Sequence, residues 1–334
     1  MITINATEDD ILQCHYSKWI KGFSKVTPLS IVVNTDANFT EYMAQDGIFL
    51  PVEESEDQLQ GNDLQGASES NSESVHRISH LIVQLNEAIK ALKAPVFVKL
   101  NWTAPTDAEW INGNSLKCYN ANDILLLLKS SDRVAFDMQH MFDMCLHHSA
   151  NDLPRPNAII LRRWLDVNPA MEFRLFVFNK RLKRICQRDC TTYYPFLKQS
   201  RNSLRRVLTS FFNLKLENKF ALASYTADVY VTPAGRVWLL DFNPAGAPTS
   251  ALLYEWSDFA DIIYHHSSAA AEQTPAEECE VEFSLVENEA EVLPSSKGAA
   301  RGPIDVAAPE FSDFMRLCQL QATSSDIDLE ADEG

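Results

Sequence analysis

Between Val75 and Leu92 the apolar residues recur three and four apart, as Ile78, Leu81, Ile82, Leu85, Ala88, Ile89 and Leu92. That spacing predicts an amphipathic helix, which Lys93, Ala94 and Pro95 bring to an end. Upstream, "CHYSKWIKGF" predicts a short helix, "LSIVVN" a strand, and "NFTEYMAQDGIFLP" a helix or turn leading into a strand. "PVFVKLNW" and "NAIILRRWLDVNP" read as strands, and "DILLLLKSSD", capped by Asn122 or Asp123, and "FDMQHMFDMCLHH" as helices. "EFRLFVF" and "RLKRICQRD" form a hairpin turned at Asn179 and Lys180, "SLRRVLTSFFNLKLEN" is helical, and "SYTADVYVTPAGRVWLLDFNP" is a second hairpin turned at Pro233 to Gly235. The folded core is expected to end soon after "LLYEWSDFADIIYHH".

Two stretches break the pattern. Residues 52–74 are acidic and polar without a Lys, Arg or aromatic residue, the composition of a disordered surface insertion. Residues 267–334 read as a mostly disordered acidic tail, interrupted by a short amphipathic docking segment at 309–321. The remainder divides into an N-terminal lobe, 1–98, and a core, 99–266.

Net charge is −17, yet between Lys99 and Lys219 there are about 19 Lys and Arg against about 11 Asp and Glu. A locally basic stretch in an acidic chain suits a local anionic ligand or a solvated face; it does not suit bulk nucleic-acid binding, which needs many cations on one surface. There is no run of eighteen apolar residues, and "MITINATEDD" lacks the basic flank and apolar stretch of a secretory signal. The seven cysteines are scattered, with no CxxC pair or zinc spacing. A soluble, cytoplasmic, monomeric chain with reduced thiols is expected, without membrane or nucleic-acid partners.

The candidate chemistry lies on the strands. In the second hairpin, a turn centred on Pro233 and Ala234 puts Asp228 opposite Leu239 and Asp241 opposite Thr226, so alternation gathers Asp228, Asp241 and Asn243 on one face. An odd-length loop or a bulge flips that parity. Three oxygen donors suit magnesium, a hard cation that takes one or two carboxylates and completes its shell with water and phosphate. The alternative is that Asp241 caps a turn and Asn243 precedes a proline. Lys99 ends an apolar strand and Lys117 follows a small polar loop, both placed either to reach phosphates or to snorkel at an edge. Arg162, Arg163 and Trp164 could wall a base, with Glu172, Arg174, Arg188 and Asp189 on adjacent strands.

Other nucleotide sites are absent. No GxGxxG or GxxxxGK[ST] occurs. "QRD" and "DFN" echo kinase motifs, but the position five after Asp189 is Tyr194 where a catalytic-loop Asn belongs, and no glycine-rich loop precedes Lys99. His147 and His148, beside Cys145, read as packing residues.

The blocks "FVKLNWTAPTDAEWI", "SLKC", "DILLLLKSSD", "LRRW", "EFRLFV", "QRDCTTYY", "DVYV" and "VWLLDFNP", in this order, resemble the cell division cycle protein 123 family from about Cys14 to about Trp256. That resemblance implies an α+β, ATP-grasp-like fold of two lobes clamping ATP-magnesium, and a role in assembling eukaryotic translation initiation factor 2 by binding its gamma subunit. It implies phosphate contacts from Lys99 and Lys117, with Asn101 and Trp102 beside them, and a hinge at adenine from Arg162, Arg163, Trp164 and Leu165. It further implies that Arg174 and Arg188 face the triphosphate, with Glu172 also among the nucleotide-site residues, and that Asp228, Asp241 and Asn243 bind magnesium. Cys190 and the pair Ala245–Gly246 depart from the family pattern. The rival reading is an ATP-grasp ligase that joins a carboxylate to an amine through an acyl-phosphate, for which no acceptor pocket is legible.

Overall fold

The computed structural model describes residues 5–51, 75–143, 145, 157–264 and 281–293. The insertion at 52–74, His147 and His148, and the segment 309–321 lie outside the described residues.

The fold is mixed α+β, built on two sheets. The smaller has the order β1-β3-β2, with β1 at Ser30–Asn34, β2 at Val96–Lys99 and β3 at Ala158–Arg163, all antiparallel. One face packs on four helices: α3 (Ala37–Ala44), α4 (Ser79–Leu92), α5 (Ala121–Lys129) and α6 (Asp132–His140). Val96 and Val98 on β2 and Ile159 and Leu161 on β3 enter this core, as period-two alternation requires, and the expected stripe of α4 meets them with Leu81, Leu85, Ile89 and Leu92.

The larger sheet has the order β7-β6-β4-β5-β8: β4 is Glu172–Phe178, β5 Arg181–Gln187, β6 Tyr225–Val231, β7 Val237–Pro244 and β8 Glu282–Ser284. Asn179 and Lys180, which turn the β4–β5 hairpin, both have positive φ (51° and 63°), the twist that a two-residue hairpin needs. One face carries Phe173, Leu175, Ile185, Ala227, Val229, Leu239 and Phe242 into a core shared with α1 (Glu8–Gln13), α2 (Tyr16–Phe23) and α7 (Pro195–Phe211). Ile160 and Val32 from the smaller sheet join this same core, which ties the two sheets together. The opposite face is partly covered by the segment leading to α8 (Ala260–Tyr264), where Phe176 stacks on Phe259.

Several expectations change. The strand expected at "GIFLP" does not form; these residues run as irregular chain after α3. α5 begins at Ala121 and is capped by Asn120, whose side chain accepts from the Asp123 N–H, so the cap lies upstream of Asn122 and Asp123. The boundary at 98/99 cuts through β2, and the smaller sheet reaches Arg163, while α1 and α2 belong to the core of the larger sheet. The expected tail contains an ordered piece: β8 pairs in parallel with β5, and Phe283, Leu285 and Val286 are buried. One apolar residue in a three-residue strand, with two more just after it, is too weak a pattern to stand out in acidic sequence. Among the described residues, no helix is long and apolar enough to cross a membrane.

Candidate functional site

The two sheets meet through charged side chains. On the face of the larger sheet away from α7, one row runs across four strands: Asp241 on β7 opposite Asp228 on β6, Asp228 opposite Arg174 on β4, and Arg174 opposite Cys186 on β5. Arg174 grips Asp228 with two parallel bonds, Nε to Oδ1 and Nη2 to Oδ2, both 2.7 Å, and its Nη1 donates to the Ser250 carbonyl at 2.6 Å. Arg188, just past β5 and half-exposed, donates from Nε to the second Asp228 oxygen at 3.0 Å. Burial would raise the Asp228 pKa, but the two guanidinium groups outweigh it and hold the carboxyl well below the usual carboxylate range.

The expected register is corrected. Asp228 lies opposite Asp241, not Leu239, and Thr226 lies opposite Asn243, not Asp241, because the turn has three residues and a one-residue irregularity intervenes between Asp228 and Val229. Asp228, Asp241 and Asn243 nevertheless share a face. The reason is that the three-residue turn and the bulge each invert the parity, and the two inversions cancel.

The smaller sheet supplies the facing cations. Lys99, at the end of β2 and only 2% exposed, forms an ion pair with Asp241. Burial drives the ammonium down and the carboxyl up, while each group pulls the other back towards its charged form. Arg162 lies on the same face of the smaller sheet and donates from Nη2 to the Leu240 carbonyl; its Nε is buried without a hydrogen-bond partner among the described residues. Both cations flank the ring of Tyr16 on α2, with Lys99 Nζ 5.4 Å and the Arg162 guanidinium carbon 4.6 Å from its centroid. Behind Lys99 the chain turns sharply: the Thr103 carbonyl accepts from the Leu100 N–H at 2.8 Å, and the Thr103 N–H donates to Asp137 on α6 at 2.9 Å. Asp137 is buried, its other oxygen has no hydrogen-bond partner among the described residues, and burial pushes its pKa up to about 6.

The other sequence candidates fall in three groups. Lys117 and Trp164 are brought together, the ammonium 5.3 Å from the indole centroid, beside the start of β2, where Cys118 pairs with Val96 and the Trp164 backbone N–H donates to the Pro95 carbonyl. Lys99 stands at the other end of that strand, about 10 Å along. Leu165 follows Trp164, half-buried. Glu172 shares the Arg174 face of β4, and its carbonyl accepts from the Arg188 N–H. Arg163, Asn101 and Trp102 point elsewhere. Arg163 projects from the opposite face of β3 and donates to the Leu92 carbonyl at the end of α4. Asn101 Oδ1 accepts from the Ser17 N–H and hydroxyl. The Trp102 indole is in the core, its N–H donating to Ile11 and its ring against His15 and Phe142. Of the lysine-strand block, then, Lys99 is the residue that pairs with the charged row, through Asp241. Tyr16, Asp137 and the Leu240 carbonyl are part of the arrangement and carried no signal in sequence beyond helix periodicity and a strand position.

Asp228 and Asp241 are thus met by four cationic side chains, Lys99, Arg162, Arg174 and Arg188, with Glu172 and Asp137 at the margins. A site of this kind can accept a polyanion, whose oxygens would take over from the carboxylates as partners of the cations. The donors released, two carboxylates and the half-buried Asn243 on one face, are the hard oxygen set that magnesium uses when phosphates complete its shell. Among the described residues no cluster of three or more His, Cys, Asp or Glu converges as a ready-made metal cage.

A family model, D123, matches residues 19–308. The chain is 34% identical over 328 residues to a cell division cycle protein 123 of Aspergillus terreus, covering 92% of this chain and 78% of that protein. It is 32% identical over 335 residues to a translation initiation factor eIF2 assembly protein of Xenopus tropicalis, covering 93% and 96%. In three dimensions it is similar to Cdc123 from Schizosaccharomyces pombe, with a TM-score of 0.66, 31% identity, and 85% of this chain and 99% of that one covered.

Proposed function

The chain belongs to the D123 family, that of cell division cycle protein 123 and the eIF2 assembly proteins, and on that premise we propose that it is an ATP-magnesium-binding assembly factor. It binds the gamma subunit of eukaryotic translation initiation factor 2 and promotes assembly of the heterotrimer. The assembly role is supported by the names of relatives that align over nearly the whole chain. The ATP-magnesium reading, and with it an ATP-grasp-like clamp, is supported by one observation above all: the facing pair Asp228 and Asp241, with Asn243 beside them, held by cations from both sheets.

On this reading Lys99, Arg162, Arg174 and Arg188 hold phosphate oxygens, and Asp228, Asp241 and Asn243 hold magnesium. The metal would screen the triphosphate from the two carboxylates. Lys99 is buried and its stem is fixed by the strand, so its ammonium has two possible partners, Asp241 or a ligand oxygen; exchange between them couples ligand binding to the contact between sheets. Lys117 and Trp164, in contact at the far end of β2, would on the same reading meet the base end of the nucleotide. The five described cysteines are free, which suits a reducing cytoplasm.

The reading is tested by mixing the purified chain with isolated gamma subunit, with and without ATP-magnesium, and resolving the products by size. A one-to-one complex that ATP-magnesium strengthens is expected. Absence of any complex in both conditions would leave the carboxylate–amine ligase as the better account.

A further inference from the structure

The basic middle of the chain is not used up by the charged row. From 190 to 216 there is no Asp or Glu at all, while Lys198, Arg201, Arg205, Arg206 and Lys215 all occur there. Most of this stretch is α7, on the other face of the larger sheet from Asp228 and Asp241. After α7 the helix loosens into a π-type turn, closed by the Glu217 N–H donating to the Phe212 carbonyl at 2.9 Å. That turn presents Leu214, 64% exposed, with Lys215 next to it. Between the end of α7 and the β6–β7 turn lies an open groove of about 550 Å³, lined by Val207, Phe211, Leu214 and Val237 with Arg206 and Lys215 at its rim. Among the described residues neither rim cation has a carboxylate partner.

The chain itself already lays an acidic segment on this helix. Glu287, just after β8, pairs with Arg201 and with Lys198 (3.4 Å), so the first cations of α7 already have an acidic partner from the stretch that leads towards the C-terminus. Further along, residues 326–333 read "DIDLEADE", five carboxylates interleaved with Ile327 and Leu329. Apolar side chains set among acids complement an apolar groove with a basic rim. About 33 residues separate Leu293 from Asp326, a contour of roughly 110 Å at ~3.3 Å per residue, several times the ~20 Å across five strands. A tethered segment needs only weak intrinsic affinity, because tethering supplies an effective concentration of about a millimolar.

We propose that this groove is a docking surface for an acidic segment with apolar anchors, and that its occupant in the isolated chain is the chain's own stretch 326–333. Ile327 or Leu329 enters beside Leu214, and the carboxylates meet Arg206 and Lys215. The contact continues the one that Glu287 begins.

Carbodiimide coupling of the full chain, which joins amines only to carboxylates, tests this directly. Peptide mass spectrometry is expected to find Lys215 joined to 326–333, and, in an equal mixture of isotope-labelled and unlabelled chains, joined within single chains. Coupling of Lys198 to Glu287 serves as the reference for an intact fold. Leu214→Ser, or ~1 M salt with its Debye length of about 3 Å, should lower the Lys215 yield roughly five-fold relative to wild type in low salt. Lys215→Arg should abolish it, the reference pair being retained in the Leu214 and Lys215 variants. The proposal is overturned if the reference pair couples while 326–333 couples elsewhere or not at all. It is equally overturned if the Lys215 product joins labelled to unlabelled chains, which would make the occupant a second copy.

Discussion

Asp228 and Asp241 face each other directly across β6 and β7, although the turn joining these strands has an odd number of residues. The Thr232 N–H donates to Arg236 and the Gly235 N–H to Thr232, leaving Pro233, Ala234 and Gly235 as a three-residue loop that alone would set Asp228 against Leu240. Leu240 is instead the extra residue of a bulge, its carbonyl turned to Arg162, and the register moves on by one. Either feature alone would turn Asp241 into the apolar core. The site depends on both.

The turn can be tested without touching the site. Gly235 has φ of 77°, and a Cβ there would meet nothing within 4 Å, so Gly235→Ala carries a backbone penalty and no clash. A loss of about 1 kcal/mol is expected in urea denaturation, with the dependence on denaturant unchanged. No loss would mean that the turn relaxes at no cost.

Lys99→Met should be among the most damaging single substitutions, by about 3 kcal/mol, because it leaves Asp241 buried without its ammonium partner. Adding Asp241→Leu should restore much of that stability, since an apolar pair needs no charge compensation. If the double variant is as unstable as the sum of the singles, the pair is not an isolated couple.

Asp228 gives a pH signature. Its folded pKa lies well below the unfolded value of about 3.9, so its stabilising contribution is full above about pH 4 and is lost as pH falls through the folded value. Asp228→Asn should therefore be clearly less stable than wild type at pH 7, and the gap should narrow steadily below pH ~4 in thermal melts. A gap independent of pH would place the cost in packing.

Asp137 has the opposite sign. Its folded pKa of about 6 exceeds the unfolded value, so the folded state holds an extra proton between about pH 4 and 6, and stability falls as pH rises through that window. Asp137→Asn keeps an acceptor for the Thr103 N–H and removes the charge. It should match wild type near pH 4 and exceed it by on the order of 2 kcal/mol at pH 8. Equal stability at both pH values would show that the ionised carboxyl is fully compensated, with Lys99 and Asp241 the charged groups that bear on it.

Periodicity carried most of the architecture: α4, the β4–β5 turn at Asn179–Lys180 and the edges of β6 and β7 all follow from residue spacing. The grouping of Asp228, Asp241 and Asn243 on one face was also legible, although by a register that the structure corrects, since parity has only two outcomes and two errors of one residue cancel. What spacing cannot carry is which face of a strand meets which neighbour. Arg162 and Arg163 are adjacent and look interchangeable in sequence, yet alternation sends one to Leu240 and the other to Leu92. Asn101 and Trp102 come two and three residues after Lys99, but the tight turn held by Thr103 and Asp137 directs them into the protein. Asp137 and Tyr16 come from helices far off in sequence, and only tertiary packing brings them to Lys99. β8 was hidden because its value to the fold lies in pairing with β5, not in any pattern of its own.

The measurement that bears most directly on the central claim is calorimetric titration of the chain with ATP, with magnesium and with chelator, on wild type and on Asp241→Asn. The account predicts binding to wild type in magnesium, at least about ten-fold weaker binding in chelator because Asp228 and Asp241 then repel the bare triphosphate, and no measurable binding to the variant. Equal affinity in magnesium and chelator, or a variant that binds as wild type does, would contradict it.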